Sequence, residues 1–194
     1  KQKTAYEMLR SLVGSEMCIR DRNIVIMTPS SSIEMYMALN FSLNCDGPVC
    51  VRFPRGKSAI EEFVTDESIE IGKGNIVRTG KDIAIFAFGN MLEPALKASE
   101  KINATVIDMR FVKPLDENLI IDTANNYKKL ISIEDNTASG GAGSAINELL
   151  QSKNIKTPFH IIGVPDLVTE HGSQDELYEL YGLNEESIIN ASKI

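Results

Sequence analysis

Residues 82–109 read DIAIFAFGNMLEPALKASEKINATVIDM, and they decide the fold. Asp82–Phe88 is a near-continuous apolar run, the pattern of a strand covered on both faces. Gly89 breaks it. Met91–Ile102 then carries apolar residues at helical spacing, and Ala104–Met109 returns to a β-branched, strand-like run. The unit is strand, helix, strand. Downstream the rhythm repeats. Asp116 can cap a helix to about Asn126, Leu130–Glu134 (LISIE) is strand-like, and Gly140–Gly143 leads into a helix over Ser144–Gln151. Phe159–Val164 is the next strand, and Ser173 starts a last helical region. Such alternation predicts an α/β domain with a mainly parallel sheet. Upstream, NIVR (75–78) sits among Gly72, Gly74 and Gly80 and suggests a hairpin-like or edge approach to that sheet.

A smaller α/β piece precedes it. Asn23–Met27 is a short strand that stops at Thr28-Pro29, because proline biases its predecessor away from helix. Ser30–Ser32 offer caps for a helix over Ile33–Leu43, residues 44–48 are turn chemistry, and Val49–Phe53 is a second strand. Residues 57–70, KSAIEEFVTDESIE, read as a linker.

Composition narrows the classes. Of 194 residues, 43 % are hydrophobic and 24 % charged, which suits a packed core and excludes wholesale disorder. The net charge of −7 argues against a nucleic-acid binder working through bulk charge. No apolar run approaches the ~20 residues of a membrane span. Cys18, Cys45 and Cys50 show no CxxC spacing, as expected of free, mostly buried thiols in a reducing compartment. Two histidines make a histidine-rich metal site a poor reading. The first 22 residues stand apart. Five basic and three acidic side chains give them net +2, which leaves −9 for the rest. The string AYEMLRSLVGSEMCIRDR looks like a translated sequencing adapter, so 1–22 is expected to be foreign and is set aside.

Four constellations carry chemistry. Arg52-Phe53-Pro54-Arg55-Gly56-Lys57 places three cations at a strand end, where a guanidinium fork matches a phosphate or carboxylate. The bland alternatives are a solvated turn or an ion pair with Glu61 or Glu62. Gly140–Ser144 before a helix can cradle phosphate, but Ile146 replaces the third glycine of GxGxxG and no P-loop lysine follows. A tight turn with close packing is the preferred reading. Glu134-Asp135 at a strand end suits acid–base work or capping, and capping is preferred. Glu170-His171-Gly172-Ser173-Gln174 invites a catalytic triad, but Ser173 followed by Glu176 fits a capping box better. His160 reads as structural.

The motifs MRFVKPLD (109–116), GGAGSA (140–145) and EHGSQ (170–174), with FPRG (53–56) upstream, resemble the 1-deoxy-D-xylulose-5-phosphate synthase family of transketolase-like enzymes. The resemblance covers nearly all of 23–194. It implies a transketolase C-terminal-type domain over 71–194, preceded by the end of a pyrimidine-binding α/β domain at 23–56. It implies an enzyme that joins pyruvate and D-glyceraldehyde 3-phosphate with loss of CO2, using thiamine diphosphate and Mg2+. Such enzymes feed isoprenoid and thiamine synthesis. Arg55 matches the family arginine that binds the substrate phosphate, while Phe53 replaces the usual tyrosine. The family's GDG…N cofactor motif, its activating glutamate and its thiazolium-side histidines have no match here. The chain alone is therefore expected to bind neither cofactor, to hold no catalytic or metal residue and to be inactive. A homodimer when full length and a cytoplasmic location follow, with the plastid left open. The competing readings are a transketolase-like or 2-oxo-acid dehydrogenase beta-type subunit, and a non-catalytic dimerisation module in which GGAGS holds an anion.

Overall fold

A computed structural model of the chain describes residues 23–54, 69–168 and 171–193. The 82–109 unit folds as its pattern predicts. Strand β4 (Ile83–Ala87) leads through a single 3-10 turn (Gly89–Met91) into helix α2 (Leu92–Ile102), and β5 (Thr105–Asp108) follows. The β4 side chains alternate between two cores. Ile85 and Ala87 pack with Leu92, Ala95 and Ile188, whereas Ala84 and Phe86 pack with Ile120, Ala124 and Ile146. Both faces are covered, which is why the strand reads as apolar throughout.

Five strands form the larger sheet in the order β3-β5-β4-β7-β8, with β3 at Asn75–Arg78, β7 at Lys129–Thr137 and β8 at Phe159–Val164. The pairs β4–β5, β4–β7 and β7–β8 are parallel. Strand β3 is the antiparallel edge that its glycine-rich flanks suggested. Helix α2 and helix α6 (Glu185–Lys193) cover one face. Helices α3 (Glu117–Asn126) and α4 (Ala142–Ser152) cover the other. Helix α5 (Gln174–Leu180) opens on the expected box: Ser173 accepts from Glu176 N, and Glu176 accepts from Ser173 N at 2.8 Å.

A second, three-stranded sheet has the order β2-β1-β6. Strands β1 (Val25–Met27) and β2 (Val49–Val51) are parallel and joined through helix α1 (Ser32–Asn44). Strand β6 (Phe111–Lys113) comes from the far side of the chain and runs antiparallel to β1. Residues 111–113 carry no periodicity that predicts a strand. A left-handed residue, Arg110 (φ 54°), turns the chain out of β5 and into this second sheet. Phe111 is fully buried there and meets the Phe41 ring edge-on, centroids 6.0 Å apart. Cys45 and Cys50 are thiols outside any disulfide, as expected, but half-buried rather than buried, and Cys18 lies outside the described residues. No helix among the described residues is long and apolar enough to cross a membrane.

Candidate functional site

Strands β1 and β2 are parallel neighbours, so their carboxyl ends lie side by side. Ligands of α/β sheets bind at such ends. Here the ends border a groove of about 200 Å3, lined by Pro29, Ser31, Ser32, Phe53, Pro54 and Asn90. Asn90 follows β4, so both sheets contribute a strand end. Phe53 is 60 % exposed at its rim. Arg55 follows directly in sequence and lies outside the described residues, as do Gly56, Lys57, Glu61, Glu62 and most of the 57–70 linker.

Arg52 does not face the groove as a free cation. Its backbone N–H donates to Met27 O at 2.8 Å, extending the ladder on β1. Its guanidinium grips Asp135 at two points: Nη1 donates to the carboxylate, and Nη2 donates to the backbone carbonyl at 2.9 Å. Tyr178 of α5 donates its hydroxyl to the other Asp135 oxygen at 3.2 Å, and Gln174 donates to Tyr178 at 2.6 Å. Burial, then the Asp135 charge, pushes the Tyr178 hydroxyl up to about 12. Asp135 is thus a fastener between sheets, and the partner of Arg52 among the described residues is Asp135; Glu61 and Glu62 lie outside them.

Glu134 caps, as preferred from the sequence. Its two carboxyl oxygens accept from Ala142 N and Gly143 N, each at 2.8 Å, at the start of α4. The glycines admit it. A Cβ on Gly141 would stand 2.4 Å from Glu134 Oε2 and 2.3 Å from Thr137 O. The GGAGS loop therefore holds a carboxylate of its own chain where a phosphate cradle would hold its anion. Burial outweighs the two N–H donors and nearby Arg52, so the Glu134 carboxyl is pushed up to about 7.

Below the groove lies a buried polar cluster that the sequence did not reveal. Glu34 of α1 is ion-paired with Arg110 (Nε to Oε1, 2.6 Å) and accepts from Ser30 N at 3.0 Å. Ser30 Oγ lies 2.8 Å from Glu34 Oε2 and 2.6 Å from Asp108 Oδ2. A hydroxyl has one proton to give. The Ser30 hydroxyl therefore donates to one of these two carboxylates at a time. Burial first, then the Glu34 charge, holds the Asp108 carboxyl well above the usual carboxylate range. The only advance signal was an aspartate inside the apolar run ATVIDM. His160 and His171 are both exposed and join neither cluster, so His160 has no core role.

Comparison with known proteins follows the motifs. The family model for the transketolase C-terminal domain matches residues 72–188. The 1-deoxy-D-xylulose-5-phosphate synthase of Aeromonas hydrophila subsp. hydrophila is 45 % identical over 163 residues, covering 84 % of this chain and 26 % of the relative. That of Pseudoalteromonas translucida is 41 % identical over 172 residues, covering 88 % and 28 %. The chain therefore spans about a quarter of the length of these curated relatives. Among solved structures, an inactive beta4 tetramer of a split gene transketolase matches with TM-score 0.80 and 29 % identity, over 88 % of this chain and 57 % of that one.

Proposed function

Because the chain belongs to the family of transketolase C-terminal domains, we propose that it is the C-terminal part of a 1-deoxy-D-xylulose-5-phosphate synthase, an enzyme joining pyruvate to D-glyceraldehyde 3-phosphate with loss of CO2. The proposal divides the chain into the end of a pyrimidine-binding domain at 23–56, a linker at 57–70 and a C-terminal domain from 71. It assigns Arg55 to the phosphate of the acceptor substrate. The observation that carries it is the groove at the ends of β1 and β2, which the chain enters at Phe53-Pro54, immediately before Arg55. Arg52 is already paired with Asp135, so the assignment of the phosphate to Arg55 rests on the FPRG motif.

The chain's own residues orient and hold the acceptor. A guanidinium can grip a phosphate at two points. Thiamine diphosphate, whose ylid carries the decarboxylation chemistry, and Mg2+ do not fit the described residues. No group of three or more His, Cys, Asp or Glu side chains among them could hold a metal. The glycine-rich helix start has two N–H groups committed to Glu134. The proposal puts both cofactors in the three quarters of the relatives that this chain does not span. Pairing into a homodimer and a cytoplasmic location belong to the same proposal.

The test is a chimera in which residues 23–194 replace the matching C-terminal quarter of the Aeromonas hydrophila relative. Arg55→Ala is expected to raise KM for glyceraldehyde 3-phosphate, with the loss of ~1.5–3 kcal/mol typical of a charged hydrogen bond. An unchanged KM and kcat/KM for that substrate would remove Arg55 from the site. The purified 194-residue chain is expected to release no CO2 from pyruvate with both cofactors added. A second reading, a separately encoded subunit, is favoured by one finding: the similar solved structure is itself a split gene product. Reading the native gene across the codon for Asn23 separates the two.

A further inference from the structure

We propose that the crevice between the two sheets binds one ordered water molecule, held between the Thr28 hydroxyl and the Glu134 carboxyl, and that it takes no larger ligand. The place is set by topology. Strand β4 is followed by β5 on one side, and the chain then returns past β4 to lay β7 on the other. The reversal falls between β4 and β7, and the space beyond the carboxyl ends of such a pair is where open α/β sheets bind ligands. Phe88 leaves β4 at this point, donating its N–H to Ile133 O at 3.1 Å, and Glu134 follows on β7. The start of α4 opens on the same spot, since Ala142 N and Gly143 N donate to Glu134. In this chain the smaller sheet closes the crevice. Thr28 and Arg52 line it from one side, Phe88, Glu134, Asp135 and Ala142 from the other, and about 20 Å3 is left among the described residues.

That volume and that lining select the occupant. A water needs about 10–15 Å3, so the space holds one and excludes a phosphate or an organic molecule. A buried water also needs polar partners. Thr28 supplies the first. The residue is 3 % exposed, and its hydroxyl has no hydrogen-bond partner among the described residues. Buried hydroxyls in folded proteins are paired, with protein or with water. Glu134 supplies the second. Each of its oxygens accepts one backbone N–H, which leaves a lone pair on each. Water suits this partner in both protonation states, donating to the carboxylate and accepting from the acid. With its carboxyl pushed up to about 7, Glu134 visits both near neutral pH. Arg52 and Asp135 complete the wall but are committed to each other. The inference is independent of Arg55. It adds a bridge between the sheets beside the Arg52–Asp135 pair, and it closes the ligand crevice of the larger sheet to everything but solvent.

The experiment takes the 194-residue chain with its Thr28→Val and Thr28→Ser variants, by crystallography at a resolution that shows ordered water and by urea unfolding. The unsubstituted crystal is expected to show one water within hydrogen-bond distance of Thr28 Oγ1 and of a Glu134 oxygen. Thr28→Ser keeps that water and Thr28→Val loses it. Valine matches threonine in shape but offers the water no partner. Thr28→Val is therefore expected to lower the folding equilibrium constant roughly three- to tenfold, as for the loss of one hydrogen bond. A dry hydroxyl gives the opposite sign, because exchanging an unpartnered buried hydroxyl for a methyl raises that constant. The opposite sign overturns the inference. So does a Thr28 Oγ1 bonded to a protein group in place of water, a water that Thr28→Val leaves where it was, or a phosphate or organic molecule in the crevice. If Thr28→Val does not fold, the other two crystals decide: water at the hydroxyl in both supports the inference, and its absence from either overturns it.

Discussion

Replacing Glu134 with glutamine should flatten the pH dependence of stability by about one proton. The carboxyl is pushed from 4.5 to about 7 in the fold, chiefly by burial. The sign follows from proton counting. Between these two values the folded chain binds the Glu134 proton and the unfolded chain does not. Stability is therefore fully present below about pH 4.5 and is lost as pH rises toward 7. The span is about 2.5 units, which at ~1.4 kcal/mol per unit is about 3 kcal/mol. Glutamine has nothing to titrate. It also offers one acceptor oxygen to two backbone donors, Ala142 N and Gly143 N, which costs about 1–3 kcal/mol relative to the protonated Glu134 side chain present at low pH. The two curves should thus be far apart at pH 5 and converge by pH 8. Urea unfolding followed by circular dichroism at pH 5, 6, 7 and 8 measures both. Asp108, whose carboxyl is also raised, is present in both proteins and cancels in the difference. Parallel curves would show that Glu134 does not hold its proton as burial dictates.

Glu34→Ala removes the carboxylate from the buried Arg110 pair and should cost about 3–5 kcal/mol. Because the pair joins α1 to the turn between β5 and β6, the loss should show in limited proteolysis as earlier release of 23–54 than of the C-terminal helices. Gly141→Ala should destabilise the chain by about 1–3 kcal/mol in thermal unfolding, since the new methyl meets Thr137 O and Glu134 at contact distances no side chain tolerates. Its neighbour is the control. A methyl on Gly140 meets nothing within 4 Å, so Gly140→Ala should cost only the strain of a left-handed residue, about 1–2 kcal/mol.

The larger sheet was legible because its signals are local. The alternation of β4 between two cores, the Asp116 cap on α3 and the Ser173–Glu176 box are each written within a few residues. The preference for capping at Glu134 and for close packing at GGAGS rested on the same kind of local chemistry, and the structure agrees. What the sequence hid is long-range. Asp108 meets Ser30, 78 positions away, and Arg52 meets Asp135 across 83. Strand β6 is three residues long and carries no periodicity to read. It becomes a strand because β1 offers it an open edge. Nothing in the sequence singles out Tyr178, and its bond to Asp135 is what sets it apart. Arg55 stays a reading of motif alone, since it lies outside the described residues.

The loan of β6 to the smaller sheet has a consequence for how such a protein can be divided. Residues 23–54 are fastened to the rest by the β1–β6 ladder, by Thr28 N donating to Arg110 O at 2.8 Å, and by the Glu34–Arg110 and Arg52–Asp135 pairs. None of these passes through residues 55–68. Peptide continuity is thus one of several links between the two pieces. It governs the order and local concentration at which the two pieces find each other. A nick or a change of reading frame at that point would turn one chain into two that still recognise each other by the same strand edge.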